Sequence, residues 1–135
     1  MTRPNFKFEL SLILLIAVIY CLNRFCLKET VEFPVISVIL ICYFNDWMAG
    51  IGIIAYINLV LDKSKHRSKK IKSFKVAIIV CLICGILWEY VFPLIFPHGV
   101  CDIWDVVAYV FGGITYIIVS NLYTHYAQNK KKGGE

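Results

Sequence analysis

The sequence predicts an all-α fold: a transmembrane helix bundle of about four spans, with a re-entrant or interfacial segment ahead of the second full span. Three observations predict it. Of 135 residues, 59% are hydrophobic and only 17% charged, and the mean hydropathy is +0.71. Soluble chains are typically about 45–50% apolar and about 25% charged, so this chain departs from both values in the direction of lipid. Its apolar residues also fall in runs of spanning length, and its cations collect between those runs. Twenty aromatic residues exclude a solvated disordered chain, and the length suits a single integral membrane domain over 1–135.

The first span is expected over 8–27, built on the apolar run from Leu10 to Leu22. Arg3 and Lys7 precede it, as they would in a secretory signal peptide, which ends in small residues before its cleavage site. Here the run ends Tyr20-Cys21-Leu22-Asn23-Arg24, with no small residue, so the helix is read as retained. The second apolar region covers 34–61 and, counted from Phe33, would be ~43 Å long as one straight helix, more than the ~30 Å hydrocarbon core. Asn45-Asp46 breaks it near 45. The β-branched piece Val35-Ile36-Ser37-Val38-Ile39 re-enters or lies at the interface, because non-helical backbone at depth needs protein or water over it. A span from Asp46 to Leu61 follows.

A basic loop is expected over 62–75, with Lys63, Lys65, Arg67, Lys69, Lys70, Lys72 and Lys75. The third span covers 76–96, bent or ended by Pro93 and Pro97. The fourth covers 103–126, and a flexible tail containing Lys130-Lys131-Lys132 occupies 127–135. Four spans put the N-terminus, the basic loop and the tail on one side, collecting twelve of the 14 basic residues there. Short basic segments stay cytoplasmic, so both termini are expected there, in a multi-pass protein of the cell membrane. The loop is read as solvated and touching the anionic leaflet. Membrane lipids are the expected partners, with a homo-oligomer or a membrane partner as further candidates, and no nucleic acid.

The acids sort the other way. Asp46 opens the second span from its outer end, Glu89 lies within the third, and Asp102 and Asp105 open the fourth. Ionisable groups inside spans are costly and mark functional sites by default. Asp102, Asp105, Tyr109, Gly112 or Gly113, Tyr116 and Ser120 recur at steps of three and four, one face of a helix. Gly50 lies one turn from Asp46 and Gly85 one turn from Glu89, and small residues permit close helix packing in lipid. The expected polar pocket therefore comprises Asp46, Glu89, Asp102, Asp105 and Tyr109, with Gly50, Gly85, Gly112 and Gly113 packing the helices. Asp46, Asp102 and Asp105 have an alternative as helix caps, which Glu89, inside a span, does not.

Trp88-Glu89-Tyr90, Cys101-Asp102-Ile103-Trp104-Asp105 and Gly112-Gly113 together resemble the VanZ-like family of small multi-span bacterial membrane proteins. In that resemblance Glu89 stands at the span glutamate, Asp105 at the principal aspartate and Gly112 at the glycine. Asn45-Asp46 ahead of Ala55-Tyr56 resembles the family's second helix. Phe92, Gly99-Val100 and Tyr109 stand where the family usually has a glutamine, an arginine and an asparagine, so the chain is similar to a divergent member. The resemblance implies a cell-envelope protein, and the family's namesake implies a link to glycopeptide (teicoplanin) resistance.

Cys81 and Cys84 have the spacing of a redox or metal pair, yet both lie inside a span, where cysteine behaves as a small apolar residue. Cys101 lies in an outer turn that Cys26 or Cys42 could approach, a pairing the spacing leaves open. His98 with Glu89 and Asp102 offers imidazole and carboxylates for a divalent cation, set against a hydrated turn histidine. No cofactor is expected. Trp47, Trp88 and Trp104 are read as an outer interfacial belt. Three functions follow: a non-enzymatic protein binding a lipid-linked or glycopeptide-like ligand or a partner helix, a small membrane enzyme using Glu89 and Asp105 as acid and base, or a proton- or cation-coupled transport subunit.

Overall fold

A computed structural model of the chain describes residues 6–23, 25, 43–64, 69–95 and 102–132. It has four principal helices, α1 (Phe6–Leu22), α2 (Phe44–Lys63), α3 (Phe74–Ile95) and α4 (Ile103–Lys132). No strand occurs among the described residues. By length and composition α2, α3 and α4 can each cross a membrane. The 17 residues of α1 give about 26 Å at 1.5 Å per residue, slightly less than the hydrocarbon core.

The expected break near 45 coincides with the start of α2 at Phe44. The segment 34–42 lies outside the described residues, as do Arg3, Cys26, Cys42, 65–68, Pro97, His98, Gly99, Val100 and Cys101. At the other end of the chain, α4 runs through Lys132, so residues 127–132 are helix where a flexible tail was expected. Ala127, Gln128 and the terminal lysines are good helix formers, and cations suit the negative end of the helix dipole.

Pro93 shapes α3. It has no N–H to donate to the carbonyl of Glu89, and its ring crowds that carbonyl. The helix widens instead: Leu87–Val91 adopts π geometry, and the Phe92 N–H donates to the Leu87 carbonyl. Such single π turns are frequent at functional sites, and this one carries Glu89.

The helices α2 and α4 run parallel through the centre. Tyr43, just before α2, meets Asp102, just before α4, while further along Asn58 meets Tyr116. Two glycines set their separation. A Cβ on Gly112 would run into the Trp47 carbonyl and lie 2.9 Å from the Gly50 Cα, and one on Gly50 would run into the Tyr109 carbonyl. The backbones therefore touch, as small residues allow in lipid. The α2–α4 contact is fixed further by the Trp47 indole N–H, which donates to the Thr115 Oγ1 at 3.1 Å. This places Trp47 between helices rather than in an interfacial belt, whereas Trp88 and Trp104 are exposed.

Antiparallel to these, α1 packs on α2 and α3 packs on α4. Gly85 faces Val106, and a Cβ on Gly113 would lie 2.6 Å from the Cys81 Sγ. Ile54, Ala55, Ala77, Cys81, Tyr116 and Ile117 form the buried centre, while Leu15, Val18, Leu94 and Leu122 are exposed, as expected where the solvent is hydrocarbon. The start of α1, the end of α2, the start of α3 and the last turns of α4 gather at one end: the Phe8 ring stacks on Tyr123, and the Lys63 Nζ sits 4.8 Å above the Phe6 ring. Every described lysine lies toward this basic end. The opposite, acidic end holds Asp46, Glu89, Asp102 and Asp105.

Candidate functional site

At the acidic end three helices each contribute a carboxylate. Asp46 lies in the first turn of α2, Glu89 in the π turn of α3 and Asp105 in the first turn of α4. The charges of Asp105 and Glu89 act on Asp46, and the Tyr109 hydroxyl lies in the field of all three. Glu89 and Tyr109 are buried, at 8% and 6% exposure, and Asp46 and Asp105 are half-buried. Like charges brought together away from water repel, and a cationic group placed among them is attracted by each.

Asp102 has a different job. Its Oδ1 accepts the Trp104 N–H at 2.9 Å, and its carbonyl accepts the Asp105 N–H at 3.2 Å. That is an N-cap, with side chain and main chain each holding a free N–H of the first turn. Its Oδ2 accepts the Tyr43 hydroxyl at 3.4 Å, which links it to α2. Nearby, the Asn23 side chain donates to the Asn45 Oδ1 at 2.8 Å, joining α1 to the same end.

Among the described residues no group of three or more histidine, cysteine or acidic side chains is arranged to hold a metal ion; His98 lies outside them. Cys81 is buried with a free thiol 3.8 Å from the Gly50 carbonyl, a packing position between helices.

Among the described residues, an extended buried polar network lies at the basic end. The Tyr116 hydroxyl donates to the Glu9 carboxylate, 2.8 Å from one oxygen and 2.9 Å from the other. It accepts from the Asn58 Nδ2 at 2.8 Å. Asn58 also holds the main chain of Ile71, accepting its N–H at 2.7 Å and donating to its carbonyl at 3.0 Å. Beside Ile71, the Lys70 Nζ lies 3.6 Å from the Glu9 Oε1 and 3.3 Å from the Asp62 Oδ1. Glu9 is fully buried, and the Lys70 side chain is 2% exposed. Lys70 is therefore an interior residue, where the basic loop as a whole was expected to be solvated.

Sequence reasoning missed this network. The available signals were the polar residues set within apolar runs: Glu9 next to Leu10, and Asn58 between Ile57 and Leu59. Lys70 gave no signal among so many like residues. The two clusters are separated by the eleven residues from Asp105 to Tyr116, ~16 Å along α4.

Comparison of the chain with protein-family models, curated proteins and solved structures found no match.

A groove of about 620 Å³ lies on the outer face between α3 and α4, lined by Leu82, Ile86, Tyr90, Ile103, Val106 and Phe111. It is wholly apolar, and it runs beside the elements that carry Glu89 and Asp105.

Proposed function

We propose that the chain is a VanZ-like, multi-pass protein of the bacterial cell membrane, with both termini cytoplasmic and the acidic end outward. On this reading it is a binding protein rather than an enzyme: its acidic cluster takes the cationic part of a lipid-linked or glycopeptide-like ligand. One observation carries the reading. Asp46, Glu89 and Asp105, from three separate helices, lie within electrostatic range of one another, while every described lysine lies toward the other end.

Two features support it. The π turn gives Glu89 a position that an unbroken α-helix would not, and the apolar groove beside α3 and α4 offers room for a hydrocarbon chain whose head reaches the acids. The orientation follows from the positive-inside rule.

The test is binding in lipid nanodiscs, with teicoplanin and a lipid-linked peptidoglycan precursor as probes. Wild-type protein is expected to bind at least one of them, and Glu89→Gln, Asp105→Asn and Asp46→Asn each to weaken that binding by about tenfold or more. Equal binding by all four proteins, or none by the wild type, would sink the reading.

A further inference from the structure

Two buried tyrosines, Tyr109 and Tyr116, lie on one face of α4, about two turns apart. The Tyr116 hydroxyl is bonded to Glu9 and Asn58. The Tyr109 hydroxyl, on a residue 6% exposed, makes no hydrogen bond to any described residue. Buried polar groups are paired as a rule, so an open hydroxyl marks a place where something else can bind.

The close approach of α2 and α4 fixes what surrounds it. A Cβ on Gly50 would run into the Tyr109 carbonyl, so the two parallel helices touch at this level. Asp46 stands one turn before Gly50 and Asp105 one turn before Tyr109, which brings the two carboxylates side by side. Neither accepts a hydrogen bond from a described side chain. The Tyr109 hydroxyl lies in the field of both, and the charge of Glu89, from α3, reaches it as well.

These oxygens call for positive charge and hydrogen-bond donors together. A carboxylate only accepts, whereas a phenol accepts from one donor and passes its own hydrogen to a neighbouring acceptor. A primary ammonium carries three N–H donors on a compact charge. A quaternary ammonium has the charge and no donor. Guanidinium is a flat fork suited to the edge of one carboxylate rather than to oxygens from two helices.

We propose that Asp46, Asp105 and the Tyr109 hydroxyl form a primary-ammonium site, in which the phenol oxygen selects an N–H-bearing head over a quaternary one. This deepens the reading of the acidic end as a binding site and rests on it. An aminolipid head and a free amine share this chemistry.

The experiment follows the Tyr109 ring by NMR in phosphatidylcholine nanodiscs, with Tyr109→Phe assigning its signal. Propylammonium is expected to move that signal, and tetramethylammonium at equal ionic strength to leave it in place. Tyr109→Phe and Asp105→Asn should each weaken propylammonium binding by about tenfold in calorimetry. If a variant does not fold, the selectivity of the wild type decides alone. Phosphatidylethanolamine nanodiscs separate the sources: a signal moved without added amine identifies a lipid head, and one moved only by propylammonium a free amine. No response, an equal response to both cations, or a larger one to guanidinium overturns the ammonium assignment, even where teicoplanin or the precursor still binds through the acids. If those ligands also bind the acid variants as they bind wild type, the acidic end is no site at all, and the proposal falls with it.

Discussion

The Tyr116 hydroxyl lies within 2.9 Å of both carboxylate oxygens of Glu9, a partner 107 residues earlier in the chain. The same oxygen accepts from Asn58, which in turn holds the backbone of Ile71. One phenol therefore joins α1, α2 and α4 to the connection that leads into α3.

Tyr116→Phe keeps the ring and removes that junction. It leaves Glu9 and the Asn58 amide each short of a buried partner, a loss worth about 1–3 kcal/mol. The expected outcome is a lower melting temperature in detergent together with faster exchange at the Ile71 amide. Unchanged exchange at Ile71 would show that the phenol does not hold that connection.

Gly50→Ala and Gly112→Ala place a methyl group against backbone of the facing helix, which cannot rotate away as a side chain can. Overpacking typically costs about 1–3 kcal/mol, and contact with main chain belongs at the upper end. Gly52 has nothing within 4 Å of the position its Cβ would take. Gly52→Ala should be neutral or stabilising by up to ~1 kcal/mol through helix propensity. Thermal melts of the three variants check the contrast, and a Gly52 variant that melts like the other two would refute this packing.

Gly113→Ala meets the Cys81 sulfur, 2.6 Å from the added carbon, and Cys81→Ala removes that sulfur. The two changes should be strongly non-additive, with the double variant more stable than Gly113→Ala alone. A coupling of about 0.5 kcal/mol or more in a double-mutant cycle is the expected result, and simple additivity would deny the contact.

Pro93→Ala puts an N–H where the ring now stands and lets α3 continue as an α-helix. Stability should be maintained or rise. Ligand binding at the acidic end should fall, because removing the π turn rotates Glu89 away from Asp46 and Asp105. Binding measured beside the melting temperature separates the two effects.

A green fluorescent protein fused after Glu135 should fluoresce, and a periplasmic alkaline phosphatase at the same place should be inactive, if the basic end is cytoplasmic. The opposite pattern would invert the orientation and turn the acidic cluster inward.

The helices could be read in the sequence because hydropathy and punctuation are local. The apolar runs, Asn45-Asp46 and Pro93 mark where α2 begins and where α3 is disturbed, and the step of three and four from Asp105 to Tyr116 describes one face of α4 whatever its neighbours. The acids stood out by the same logic, as rare charges within runs that should carry none. Asp102 shows the limit: the sequence offered it as pocket member or helix cap, and the bond to the Trp104 N–H gives it the cap. Trp47 shows it again, since an aromatic at a span end suits an interface equally well until Thr115 is found beside it.

By itself, then, the sequence determined that this is a helical membrane bundle, with its cations between the spans and several acids set apart from them. Only the tertiary structure decided that Gly50 meets Gly112, that Lys70 turns inward, and that Glu9 and Asp62 receive it. The reason is physical. Hydropathy belongs to each residue and its neighbours along the chain, so composition and period reveal it. A buried hydrogen bond or ion pair belongs to two residues that only packing brings together, and neither partner carries a mark of the other.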